Sequence, residues 1–205
     1  MKRIVWLALL ALALPLAAFA DSSNDVDFTN SGGTLTGSSA GMSLTGSELI
    51  AVNGFNGEGK ILGGLGGLSF STGAMTSGSL QMGASFSGGG TFDILSNGSQ
   101  GLPSGNLFTG TFSGPVTWTM VTLANGTHNY TLTGAITGTW YNGQTVYGAT
   151  VQLTVNTGKG YFNGTTKISS GDTNVVTTVP EPGTLGLLGT GLLGLAGLVH
   201  RKLRA

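Results

Sequence analysis

Large apolar residues fall only on alternate positions between Tyr130 and Trp140, and this period of two is the strongest constraint on the fold. Tyr130, Leu132, Ile136 and Trp140 occupy even positions, whereas every odd position holds threonine or alanine. An extended strand places such a pattern on two faces, because successive side chains point to opposite sides. The sequence therefore predicts a strand with one apolar face and one Thr-rich face.

Turn signals on both sides of this segment predict its partners. A two-residue turn at Asn142-Gly143 would place Tyr130 opposite Val155. On the other side, a three-residue loop at 124–126 would place Tyr130 opposite Met120 and Gly138 opposite Phe112. Both registers keep the large apolar side chains on one face. We therefore expect a three-stranded antiparallel meander over about residues 108–156.

Weaker patterns predict further strands. Residues 80–86 alternate between apolar and polar, and residues 91–95 would form the next strand across the glycines at 88–90. Pro115 cannot donate a ladder hydrogen bond, so it indicates a free edge or a bulge in the first strand of the meander.

The composition extends the β assignment to the whole domain. Glycine supplies 32 of residues 21–178, and serine, threonine and asparagine fill much of the rest, which disfavours helices. Asn-Gly, a pair that favours hairpin turns, begins at Asn53, Asn56, Asn97, Asn125, Asn142 and Asn163. We expect an all-β fold, an antiparallel β-sandwich of two sheets. The alternative is a β-solenoid, because segments 109–114 and 133–138 resemble each other.

The N-terminus has the pattern of a secretory signal peptide. Two basic residues precede an apolar stretch, and Ala18 and Ala20 supply the small side chains that a signal peptidase requires, so cleavage is expected before Asp21. The chain contains no cysteine, which excludes a lipoprotein anchor, disulfides and thiol catalysis.

The C-terminus has three consecutive parts. Val179, Pro180, Glu181 and Pro182 come first, an uncharged run of leucine and glycine covers residues 183–199, and a basic end follows with Arg201, Lys202 and Arg204. A helix over the run would reach roughly 26 Å, which nearly spans a bilayer core. We expect a transmembrane helix in the inner membrane, with its basic end in the cytoplasm.

This order of parts resembles the PEP-CTERM sorting signal of Gram-negative bacteria. The resemblance implies recognition of Pro180, Glu181 and Pro182 by an exosortase, an integral-membrane cysteine transpeptidase. It also implies transient anchoring in the inner membrane, followed by delivery to the cell surface or the exopolysaccharide matrix. The chain then divides into a signal peptide at 1–20, an exported domain at 21–178 and a sorting tail at 179–205.

The charged residues of the exported domain exclude one class of function and provide few candidates for chemistry. Seven acidic residues and three lysines give residues 21–178 a net charge of −4, so nucleic-acid binding is not expected. His128 lies beside a turn without further metal ligands, and Asp25 and Asp27 would need more oxygens to bind calcium. Nothing brings Glu48, Glu58 or Asp93 together as a glycosidase pair. The sequence predicts no cofactor, no metal site and no enzyme activity.

The aromatic side chains leave one candidate for ligand contact. Trp118, Tyr130, Trp140 and Tyr147 share the apolar face and are expected in the core, whereas Tyr141 is predicted on the Thr-rich face. We expect a non-catalytic surface or matrix protein of the biofilm exopolysaccharide. A displayed carbohydrate-binding module is the alternative, and a secreted hydrolase is the third possibility.

Overall fold

The computed structural model describes residues 22–179, with side chains described from residue 25 to residue 176. Asn24–Thr177 form one compact unit. Among the described residues no helix is long and apolar enough to cross a membrane. The predicted signal peptide and the predicted span at 183–199 lie outside the described residues, and the predicted domain boundaries stay predictions.

The described chain is almost entirely extended, which confirms the all-β prediction. Two short 3-10 turns, Phe55–Gly57 and Ser99–Gly101, interrupt it. The strands are β1 (Ser22–Ser31), β2 (Thr34–Ser38), β3 (Gly41–Asn53), β4 (Ile61–Ser71), β5 (Met75–Ser79), β6 (Gly83–Phe86), β7 (Gly89–Asn97), β8 (Ser104–Phe112), β9 (Val116–Thr122), β10 (His128–Trp140), β11 (Thr145–Asn156), β12 (Thr165–Lys167) and β13 (Ser170–Val179).

Eight strands close into an antiparallel barrel instead of forming the predicted sandwich of two sheets. Around the barrel the order is β10, β11, β13, β1, β3, β4, β7 and β8, and β8 pairs with β10 again. The sandwich prediction is wrong because the sheet has no break. Bulges in the β1–β3, β3–β4 and β10–β11 pairings bend the strands, so that one sheet curves until its edges meet.

The remaining strands pair with the ends of two long barrel strands, β10 and β3, each of which changes partner along one edge. On β10, residues 128–133 pair with β9 and residues 136–140 pair with β8. The segment between β8 and β9 contains Pro115, so the first strand of the predicted meander is divided into two strands at this proline. β9 then pairs with β6 and β6 with β5. On β3, residues 41–45 pair with β2, which pairs with β12.

The register of the predicted meander is confirmed over most of its length. Tyr130 faces Val155 and Met120, and the β10–β11 register holds as far as the pair of Ile136 and Ala149. Beyond that pair it shifts by one residue.

A bulge at Tyr147 and Gly148 causes the shift. It places Val146 opposite Gly138 and buries Val146. Tyr147 is therefore 83% exposed, and its prediction as a core residue is wrong.

Three other predictions are also corrected. The alternating segment from residue 80 becomes a strand only at Gly83, because Leu80–Met82 form the turn before β6, where Met82 is 64% exposed. β7 contains the strand predicted at 91–95, but it pairs with β4 and β8, and not with β6. The predicted pairing of Gly138 with Phe112 is wrong as well, because Phe112 faces Ile136.

The core fills the inside of the barrel with aliphatic and aromatic side chains. Trp118, Tyr130 and Trp140 are buried, as predicted. Phe70, Phe92 and Phe112 contact one another with ring centroids 5.7 to 6.0 Å apart. Gly134 has no room for a side chain, since an added Cβ would lie 2.7 Å from the Phe112 ring.

Candidate functional site

An open cleft of about 500 Å³ lies on the outside of the barrel, across β9, β10, β11 and β13. This first cleft begins beside Pro115, where β8 and β9 separate. Its polar lining comprises Thr117, Thr133, Thr150, Gln152, Asp172 and Asn174. Alternation places these side chains outward, because their neighbours along each strand point into the core.

The strand register aligns the lining residues in rows that run across the sheet. Thr133 pairs with both Thr117 and Gln152, and Gln152 pairs with Asp172. Paired strands lie about 4.8 Å apart, so a row of four residues covers roughly 14 Å. The Thr-rich face of the sequence is therefore part of a polar row that ends at a carboxylate.

A second cleft of about 320 Å³ continues from this carboxylate. It lies over β13, β1 and β3, and Asp172 belongs to the lining of both clefts. The other polar residues of the second cleft are Asp27, Thr29, Asn53 and Lys60. The two clefts thus meet at Asp172.

The two carboxylates near the start of β1 lie on the same side of the strand, as the sequence predicted. Asp25 and Asp27 are exposed, and Val26 between them is buried. The side-chain amide of Asn174 donates to Oδ1 of Asp25 at 2.5 Å and to Oδ1 of Asp27 at 3.0 Å. Across the described residues, no group of three acidic, histidine or cysteine side chains is arranged to hold a metal.

The other chemically interesting side chains lie apart from the clefts. His128 is buried, its Nδ1 lies 3.0 Å from Oγ1 of Thr122, and its ring stacks on Tyr161 at 4.4 Å. Glu48 on β3 and Asp93 on β7 are separated by β4. Glu58 follows the first 3-10 turn. The structure does not bring the three acidic candidates together.

Tyr141, the predicted ligand contact, lies in the turn between β10 and β11. It is 39% exposed, its ring is 5.4 Å from that of Phe55, and its hydroxyl group is 3.4 Å from Oδ1 of Asn56. This position is at the end of the barrel, away from the threonine rows. Ligand contact by Tyr141 stays a prediction.

Sequence reasoning missed a more exposed aromatic side chain. Tyr147 stands on β11 three residues before Thr150, a lining residue of the first cleft. The available signal was Gly148, because a glycine within a strand often marks a bulge. Parity alone could not reveal which residue the bulge would turn outward.

Comparison with known proteins identifies the tail and nothing else. Residues 178–202 match the family model of the PEP-CTERM protein-sorting motif. No curated protein and no solved structure matches the chain significantly. The chain therefore carries a PEP-CTERM sorting motif, which implies export, processing by the membrane enzyme exosortase and sorting toward the cell surface. The matched segment begins within β13, which ends at Val179.

Proposed function

We propose that this chain is a non-catalytic protein of the cell surface or extracellular matrix, associated with exopolysaccharide. The observation that carries the proposal is the sorting motif at residues 178–202. The motif begins within the last strand of the domain, which ends at Val179, so processing near Pro180 would release the barrel almost without additional C-terminal residues. In this proposal the inner membrane holds the precursor only until exosortase acts.

The domain itself supports a role in contact with a matrix. Its interior is packed with apolar side chains, so a ligand would have to bind outside. The outer face presents hydroxyl, amide and carboxylate groups in two open clefts. Three lysines against seven acidic residues in the exported domain give no basis for attraction to nucleic acid.

A displayed carbohydrate-binding module is the second candidate, and the first cleft together with Tyr147 favours it. Exposed aromatic rings and side chains with paired hydrogen-bonding groups are suited to polar ligands that also have apolar faces. A hydrolase has less support. Glu48 pairs with Gly67 of β4 and Asp93 pairs with Ser69, so the Cα atoms of the two acidic residues lie two strand spacings and two residues apart, roughly 12 Å. A glycosidase needs two carboxyl groups within roughly 5–10 Å.

Fractionation of the host's cells tests the proposed function. The chain is expressed from its full-length gene in the host and in a mutant that makes no exopolysaccharide, and its distribution is followed by immunoblot. We expect the processed protein to sediment with the matrix of the wild-type host and to appear in the medium of the mutant. Identical distributions in the two strains would contradict an association with exopolysaccharide.

A further inference from the structure

We propose that the two clefts form one groove that binds a strand of uncharged polysaccharide. This inference rests on the proposed matrix function and assigns a site to it. The groove crosses six strands of the barrel, from Thr117 on β9 to Ala51 on β3. It is open along its length, so a polymer could lie in it without a free chain end.

The two clefts adjoin, because Asp172 lines both of them. Asp172 closes the row of Thr117, Thr133 and Gln152, and it also lines the second cleft beside Thr29. Thr29 in turn pairs with Ala51 on β3. Five spacings of about 4.8 Å between neighbouring strands give the groove a length of roughly 24 Å, which suits an extended polymer better than a small metabolite.

Several lining groups are available for a ligand. Among the described residues, no side-chain hydrogen bond occupies Thr150, Gln152 or Asp172, and all three side chains are exposed. Asn174 donates its amide hydrogens to Asp25 and Asp27, which leaves its carbonyl oxygen as an acceptor. Hydroxyl, amide and carboxylate groups spaced along a row can donate to and accept from the hydroxyl groups of successive sugars.

The charges of the groove determine which polysaccharide it accepts. Asp27 and Asp172 line it, Asp25 lies beside it through Asn174, and Lys60 is the single cation in the lining. A polymer with carboxylate, sulfate or phosphate groups would be repelled by these carboxylates. An uncharged polysaccharide meets no such repulsion, so the groove favours it over an acidic one.

Tyr147 supplies an exposed aromatic surface on β11, about 10 Å along the strand from Thr150 of the first cleft. The ring is 83% exposed and makes no aromatic contact among the described residues. The bulge that turns it outward lies on β11, the same strand that carries Thr150 and Gln152. The carbon-bound hydrogens of a sugar ring can pack on such an aromatic face. We assign Tyr147 to the groove as a stacking residue.

Binding to the host's own exopolysaccharide tests the groove. The exopolysaccharide is separated by anion exchange into an uncharged and an acidic fraction, and each fraction is titrated with the protein produced from its full-length gene in the host. The groove variants are Thr150→Ala/Gln152→Ala and Tyr147→Ala. The matched control is Thr109→Ala/Thr111→Ala, which removes two exposed hydroxyl groups from β8, outside both clefts.

We expect the wild type to bind the uncharged fraction and each groove variant to bind it about tenfold more weakly, because each loses direct contacts to the sugar. The control should bind like the wild type, and all variants should melt within a few degrees of it. Preference for the acidic fraction would overturn the proposal. So would unchanged binding by both groove variants, or no binding to either fraction. None of these results alters the fractionation test, so a failure of the groove is distinguishable from a failure of the matrix function.

Discussion

The ring of Trp118 lies almost parallel to the ring of Tyr130, with centroids 4.9 Å apart and planes inclined by 15°. Each ring also holds a distant segment by a hydrogen bond. The Trp118 indole donates to the Leu80 carbonyl at 2.9 Å, and the Tyr130 hydroxyl group donates to the Gln81 carbonyl at 2.8 Å. The Tyr130 hydroxyl group also accepts from the Phe162 amide at 3.1 Å. The stacked pair thus fixes the β5–β6 turn and the loop before β12 to the barrel.

Truncation of this stack should destabilise the domain strongly. We expect Trp118→Ala to lower the free energy of unfolding by roughly 3–5 kcal/mol, because a large buried ring is lost. Tyr130→Phe should cost about 1–3 kcal/mol, because it keeps the stack but leaves the buried Phe162 amide without its acceptor. Urea denaturation followed by tryptophan fluorescence measures both values. Equal losses for the two variants would contradict the separate roles of ring and hydroxyl.

Thr173 should be replaceable with a gain in stability. It lies on β13, the strand between β11 and β1. Its side chain is fully buried, and its hydroxyl group has no hydrogen-bond partner in the structure. Thr173→Val keeps the shape and removes the unsatisfied group, so we expect the free energy of unfolding to rise by about 1 kcal/mol.

Thr72→Val is the matched control, since the Thr72 hydroxyl group accepts from the Met42 amide at 3.0 Å and donates to the Gly73 carbonyl at 2.9 Å. That variant should lose about 1–2 kcal/mol. Chemical denaturation of both variants checks the sign. A loss in both would show that the hydroxyl group of Thr173 has a partner.

Glycine substitutions in the two 3-10 turns should stabilise the domain to different extents. Gln100 and Asn56 occupy equivalent positions in these turns, with φ values of 56° and 53°. A left-handed conformation costs most residues roughly 1–2 kcal/mol, and asparagine tolerates it better than glutamine. Glycine relieves this cost but also increases the conformational entropy of the unfolded chain, which offsets part of the gain. We therefore expect Gln100→Gly to raise the free energy of unfolding by about 0.5–1 kcal/mol, and Asn56→Gly to raise it by less. Melting temperatures in the opposite order would refute the assignment of strain to Gln100.

Local pairing was predictable from the sequence wherever parity and turn chemistry agreed. The pairing of Tyr130 with Met120 follows from alternation plus the predicted loop at 124–126. The two-residue turn predicted at Asn142-Gly143 is wrong, because Trp140 pairs with Gln144 around a three-residue loop. The pairing of Tyr130 with Val155 still agrees with the prediction, since the bulge in β11 offsets the longer loop. All six glycines of the Asn-Gly pairs have positive φ values, as hairpin and loop turns require. Parity did not predict the face of Tyr147, because a single bulge residue reverses the faces on one side of it.

Closure of the barrel was not predictable from local patterns. It depends on β13 lying between β11 and β1, and β1 and β13 are nearly 150 residues apart in the sequence. It also depends on β10 changing partner from β9 to β8, for which Pro115 was the one signal. The second cleft inherits this uncertainty, since Asp172 of β13 and Thr29 of β1 come together only after closure. The sorting tail could be identified without knowledge of the fold, because its residues are contiguous in the sequence.

Sorting should depend on the acidic residue between the two prolines of the tail. The matched motif supplies 25 of the 205 residues, so processing near its start should reduce the mass of the 20.6 kDa chain by roughly 2–3 kDa. We expect Glu181→Ala to leave an unprocessed precursor in the membrane fraction, because the resemblance to the sorting signal implies that exosortase recognises the acidic residue between Pro180 and Pro182. Glu58→Ala, which removes an exposed carboxylate from the domain, is the matched control and should be processed normally. Immunoblots of membrane and surface fractions measure both forms. Equal processing of the two variants would show that recognition does not involve Glu181.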